Sequence, residues 1–210
     1  MAEELTIAYQ KEVEVREGKF LLDRHTQDHI GMVADWLTNE KKKPCILLYG
    51  SVGNGKSTMS LAVRRALSDI SQSAQTILKE HRWQMSKEQQ ELVDAIVRTT
   101  PIPFLCTAVD IAQWAREAKE RTSDKWMRLQ QTSFIGIDDL GCEPTTIKNY
   151  GTDINPVTDL LYRRYDNRSP TIITTNLDRK DIRDKYGDRL ADRFNEMFES
   201  IGHTTGSYRK

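Results

Sequence analysis

Four short stretches of the chain are almost continuously apolar: "CILLYG" from Cys45, "PFLCTA" from Pro103, "SFIGIDDLG" from Ser133 and "SPTIITTNL" from Ser169. Runs of that length and character suit strands buried on both faces of a parallel sheet. Between them the apolar spacing changes to three and four. Residues 26–38 place Ile30, Val33, Ala34 and Leu37 on one helical face, with Thr26 as the candidate cap. "STMSLAVRRAL" does the same with Met59, Val63, Ala66 and Leu67. "SKEQQELVDAIVR" opens on a Ser86/Gln89 capping box. "DIAQWAREAKERT" follows a Thr107 cap, and "SDKWMRLQQ" predicts a shorter helix. In "NPVTDLLYRRY", Asn155 caps and Pro156 takes the first helical position. "GDRLADRFNEMFESIG" predicts a last helix with Leu190, Phe194 and Met197 inward, and "HTTGSYRK" a fifth strand. Residues 1–19 are polar with weak periodicity, 68–102 read as a long connection around the Ser86 helix, and 142–154 as a polar loop.

Strands alternating with helices predict an α/β chain: a parallel sheet with helices on both faces. Ligands of such sheets bind at the carboxyl ends of the strands. Three polar clusters fall there: a glycine loop after the first strand, paired acids ending the third, and "TTN" ending the fourth.

Composition narrows the setting. The 210 residues suit one domain with a sizeable core. Lys plus Arg equals Asp plus Glu at 31 each, so overall charge gives no argument for nucleic-acid binding, and any such surface must be a local patch. No apolar run approaches the ~20 residues that span a bilayer. The N-terminus is acidic and mixed, unlike a signal peptide. Cys45, Cys106 and Cys142 are odd in number and too far apart for a metal knuckle. Buried free thiols at Cys45 and Cys106 predict a reducing, cytoplasmic setting without a membrane partner.

The glycine loop carries the clearest chemistry. "GSVGNGKS" fits G-x-x-x-x-G-K-[ST] at every fixed position, with a strand before it and a helix after it. Gly50, Gly53 and Gly55 let the backbone turn its N–H groups inward. The loop Gly50, Ser51, Val52, Gly53, Asn54, Gly55, Lys56, Ser57 and Thr58 then forms a phosphate cradle at a helix N-terminus. Lys56 reaches the β- and γ-phosphates, and Ser57 offers its hydroxyl to Mg²⁺.

Carboxylates at the end of a buried strand need a reason, because unpaired buried charge is costly. A Mg²⁺–nucleotide complex supplies one: Asp138 holds the metal opposite Ser57, and Asp139 polarises the attacking water. The alternative is two exposed acids starting a loop. Asn176 orients the water if its strand lies beside the acids; otherwise it begins a turn. Arg189 and Arg193 share one helical face. They read either as surface ion-pair partners of Asp188, Asp192 or Glu196, or as an arginine finger presented to a neighbouring subunit. His25 and His29 have no third ligand for a metal site, and Trp36 and Trp83 read as packing residues.

The order "GSVGNGKS", "FIGIDDLG", "TIITTNL", "GDRLADRF" and "SYR" resembles the AAA+ ATPases of the DnaC/IstB group, bacterial helicase loaders and transposition helpers, from about Lys19 to Arg209. The resemblance implies a P-loop NTPase of AAA+ type with a five-stranded parallel sheet: residues 1–43 form an N-terminal segment and lead-in helix, and 44–210 the ATPase domain. It implies ATP and Mg²⁺ as cofactors. Asp138 and Asp139 take the Walker B places, with aspartate usual at the second, and Asn176 that of sensor 1. Arg193 stands at the in-trans arginine finger of a homo-oligomer, with Arg189 its box partner, and Arg209 at the sensor 2 arginine. It also implies single-stranded DNA and either a replicative helicase or a transposase as partners. In the initiator-related members a helical insertion lines the DNA path. Here that is 108–131, with Arg116, Lys119, Arg121, Lys125, Arg128, Trp114 and Trp126. Basic residues beside aromatic ones suit a single-strand groove; Glu117, Glu120 and Asp124 suit a solvated helix face equally. Helicase loaders of the group usually carry a separate N-terminal module, whereas about 40 residues precede the phosphate-loop strand here, so that either the grip is a short N-terminal segment or the chain does something else. A small-molecule kinase and a nucleotide-gated adaptor that barely hydrolyses are the readings from other classes.

Overall fold

The computed structural model describes residues 1–16, 18–118, 124–149 and 152–203. Five strands form one sheet: β1 (Cys45–Gly50), β2 (Phe104–Thr107), β3 (Ile135–Leu140), β6 (Thr171–Thr175) and β7 (Phe198–His203). They lie in the order β2-β3-β6-β1-β7, all parallel. The sheet is buried on both faces, which is why its sequence runs are apolar without alternation. Ile46 and Leu48 join one apolar cluster, with residues of α1 (Ala2–Val15), α2 (Arg24–Thr38) and α3 (Lys56–His81). Cys45 and Leu47 join the other, with residues of α5 (Ala108–Glu117), α7 (Pro156–Asp166), α8 (Arg179–Tyr186) and α9 (Asp188–Met197). Full burial of one Leu or Ile side chain stabilises by roughly 1.5–3 kcal/mol. The described chain holds no helix long and apolar enough to cross a membrane.

Several elements follow local signals. The side chain of Asn155 caps α7 with Pro156 inside its first turn, and the capping boxes at Ser86/Gln89 and Thr107/Asp110 open α4 (Lys87–Thr99) and α5. α6 spans Asp124–Gln131.

Other elements differ from the sequence reading. α2 begins earlier than Thr26, because the Asp23 carboxylate takes the Thr26 amide at 2.7 Å. The N-terminal segment is a helix, α1, with Leu5, Ala8, Tyr9 and Glu12 buried. The phosphate-loop helix α3 continues for 26 residues, through the first part of the supposed connection, and α4 packs back along it without burying a single residue. Within the polar loop at 142–154, a short antiparallel pair forms between β4 (Ile147–Asn149) and β5 (Thr152–Ile154). The last helix ends at Met197, and the fifth strand is "FESIGH", not "HTTGSYRK". Hydrogen bonding to β1 overrides the helical spacing of Phe198 and Ile201. Residues 204–210 lie outside the described part of the chain. Trp36 is buried, whereas Trp83 is 80% exposed at the turn between α3 and α4, against the packing role assigned to it.

One buried charge ties the layers together. Arg164 on α7 is buried and donates to Thr171 Oγ1 and to the carbonyls of Thr132, Ser133 and Pro170, at 2.6–3.0 Å. Burial holds its guanidinium down at about 10. The same interior pushes the Cys45 thiol up to about 11 and that of Cys106 up to about 12.

Candidate nucleotide-binding site

The strand order brings the three polar clusters to one edge. β6 lies between β3 and β1, so the residue ending it stands between the acids and the glycine loop. The loop's backbone has the conformation that its glycines permit: φ is +140° at Gly50, +85° at Gly53 and +88° at Gly55. A Cβ on Gly50 would stand 2.1 Å from the His203 carbonyl oxygen, so no larger residue fits beside β7. α3 starts at Lys56, and its first intrahelical bond runs from the Met59 amide to Gly55. The first-turn amides of such a helix point out of it, toward an anion. This cradle fits a nucleotide polyphosphate.

Lys56 is buried, and its Nζ donates to the carbonyls of Gly50 and Ser51, to Asn54 Oδ1 and, at 2.9 Å, to Asn176 Oδ1. The loop lysine and the residue after β6 thus meet across 120 positions of sequence. Ser57 and Gly53 are half-buried, and Ser51 and Val52 are exposed on the lip.

Asp138 and Asp139 sit where the pairing of β3 with β6 shifts register. Asp139 has φ +53°, a left-handed conformation few non-glycine residues adopt. Thr174, fully buried, holds both: its hydroxyl donates to Asp138 Oδ1 at 2.5 Å and accepts the Asp139 amide at 3.0 Å. Glu143 fixes the following turn. Its carboxylate accepts the Gly141 amide at 2.8 Å and the Tyr186 hydroxyl, while Lys185 holds the carbonyls of Gly141 and Glu143. Burial, and then this hydrogen bond, raises the Tyr186 pKa far above its ordinary value. Thr174 opens the "TTN" cluster without a role read for it, and Glu143 carries no sequence signal. Thr174 and Thr175 are polar positions inside an apolar run, the one signal available.

On the other side the loop is fastened to β7. Asn54 donates to the His203 carbonyl, and the His203 ring meets the Asn54 carbonyl at 3.1 Å. The His203 ring stacks on His29 at 3.9 Å. Burial, then the facing His29, depresses His203 to about 4; burial also lowers His29, most of all its causes. His29 is therefore a packing partner. Among the described residues no group of three or more His, Cys, Asp or Glu can hold a metal ion by itself. A nucleotide-borne Mg²⁺ needs fewer protein ligands than that.

Arg189 is exposed, with no ion pair among the described residues. Arg193 is engaged at home: its guanidinium lies 4.5 Å from the rings of both Tyr162 and Tyr165, with Asp166 at 4.0 Å and the side chain 23% exposed. In the 108–131 region, Trp114 is buried, Lys125 lies over its ring at 5.4 Å, and Arg128 lies over Phe104 at 5.0 Å. Lys119, Arg121 and Arg209 fall outside the described residues.

The fold is α/β, a five-stranded parallel sheet flanked by helices with the glycine loop at its carboxyl edge. Among solved structures it is similar to the DnaC helicase loader (16% identity, TM-score 0.57, covering 88% of this chain and 93% of that one) and to DnaI (16%, 0.54, 91% and 88%). It is also similar to AMPPCP-bound DnaA from Aquifex aeolicus (19%, 0.54), where it covers 87% of this chain and about half, 48%, of the DnaA chain. No family model matches the sequence, and no curated protein matches it.

Proposed function

We propose that this chain binds and hydrolyses ATP and acts on DNA with a protein partner, as a cytoplasmic helicase loader of the DnaC kind. The observation that carries the reading is the 2.9 Å contact of Lys56 with Asn176, next to a strand whose end holds Asp138 and Asp139. The similarity to helicase loaders over nearly the full length of both chains supports the replication side.

In this reading the residues divide the work. Lys56 exchanges its loop carbonyls for β- and γ-phosphate oxygens. Bound Mg²⁺ supplies charge neutralisation at those phosphates, and the Ser57 hydroxyl and Asp138 would hold it. Thr174 keeps the Asp138 carboxylate turned in one direction. Asp139 accepts the proton of the attacking water, and Asn176 orients that water. Arg193, lent by an adjacent copy, stabilises the charge that develops. To reach out, it must leave Tyr162 and Tyr165, whereas Arg189 beside it is already exposed.

ATP turnover measured against protein concentration, with and without single-stranded DNA, tests this. Turnover per subunit rises with both, and Arg193→Ala lowers it sharply. Turnover independent of both overturns the oligomeric reading. Stable ATP occupancy with negligible turnover even with DNA and partner identifies an adaptor instead. Capture of a transposase rather than a replicative helicase by the purified chain identifies a transposition helper.

A further inference from the structure

The N-terminal helix α1 reaches the same site from the side, and nothing in the roles above uses it. Its Tyr9 hydroxyl lies against Gly55, where a Cβ would meet it at 2.3 Å. Its last turn brings Arg16 to α3: the Arg16 Nη1 donates to Thr58 Oγ1 at 2.9 Å. Thr58 is the second residue after the loop lysine and lies in the first turn of α3, whose amides serve the anion. Arg16 is exposed, and among the described residues it pairs with no carboxylate. The rest of α1 is anchored, with Leu5, Ala8 and Tyr9 buried and Glu12 in an ion pair with Arg65 of α3. A guanidinium with no ion-pair partner among the described residues is thus held on a neutral hydroxyl beside a phosphate cradle.

We propose that Arg16 is a further phosphate ligand of the bound nucleotide, on the α/β-phosphate side, so that α1 forms part of the nucleotide site and tightens when it fills. The inference rests on the nucleotide reading above. Lys56 serves the β- and γ-phosphates from within the loop. Arg16 approaches from the flank of α3, so it contributes equally to ADP and ATP. A guanidinium–phosphate hydrogen bond is among the stronger protein contacts and geometrically specific.

Titration of the full chain with fluorescent ADP and ATP tests the proposal, with adenosine as competitor and hydrogen exchange followed over residues 2–15. Arg16→Ala is expected to weaken ADP and ATP alike, by about tenfold, and to leave adenosine competition unchanged. Arg16→Lys recovers part of the loss. ADP slows exchange in α1 of the native chain and not of Arg16→Ala. ADP affinity in Arg16→Ala within roughly twofold of the native chain overturns the proposal. So does a loss that lysine does not recover and that comes with unprotected α1 before nucleotide is added, since Arg16 then only holds the helix. Lys56→Ala separates the two readings. If it and the native chain fail equally to bind ADP, the nucleotide site itself falls, and the role of Arg16 with it. If Lys56→Ala loses binding and Arg16→Ala does not, only the inference falls.

Discussion

Arg164 keeps a positive charge in the interior with hydroxyl and carbonyl oxygens as its hydrogen-bond partners and, among the described residues, no carboxylate in an ion pair with it. Truncation to alanine leaves three carbonyls and the Thr171 hydroxyl short of a donor, so Arg164→Ala is expected to cost ~3–5 kcal/mol in urea unfolding. Arg164→Lys recovers little, because one ammonium cannot reproduce the fork. Thr174 is the corresponding device at the site. Thr174→Val keeps the shape and removes the hydroxyl that Asp138 and the Asp139 amide share. Under the proposed mechanism, turnover falls about tenfold or more while ATP is still bound, a split that single-turnover and binding measurements resolve. At this scale the sequence was legible where a motif fixes local spacing, as in Gly50–Thr58. Arg164, Thr174, Glu143 and His203 were not legible, because their partners are remote in sequence or seated by tertiary packing. Asn176 lay between: its identity was visible, but its meeting with Lys56 depends on β6 sitting beside β1.

The elements read best were those with their own signals. Caps at Ser86, Thr107 and Asn155 act within three residues, and continuous apolar runs mark strands covered on both faces. α1 escaped because it buries one narrow stripe, Leu5, Ala8, Tyr9 and Glu12, of which Glu12 is charged and legible only with Arg65 opposite. β7 escaped because its partner, β1, lies some 150 positions earlier. The contact of α1 with the glycine loop gives a test at this scale. Gly55→Ala imposes φ +88° on a residue with a side chain and drives its methyl against the Tyr9 hydroxyl. A cost of about 1–3 kcal/mol is expected in thermal unfolding. Adding Tyr9→Phe removes the oxygen in the way, but the backbone strain persists, so the double variant stays below the native chain.

For the molecule as a whole, pH is the informative variable. His203 is buried neutral, its pKa depressed to about 4 by desolvation first and by His29 next. The unfolded chain takes up that proton near 6.5 and the folded one does not. The stabilisation is therefore complete above pH 6.5, drains as pH falls from 6.5 toward 4, and changes no further below. For His203 the loss amounts to roughly 3 kcal/mol by pH 4, and His29, lowered as well, adds in the same direction. Urea midpoints at several pH values across that window check it: His203→Gln flattens the slope, and an unchanged slope removes the histidine stack from the account.

No linker separates α9 from β7: Met197 ends the helix and Phe198 starts the strand. The helix that carries Arg189 and Arg193 thus runs without a loop into the strand whose last residue, His203, clasps Asn54 of the glycine loop. Under the proposed mechanism, a pull at the outer rim would reach the glycine loop through the Asn54–His203 clasp.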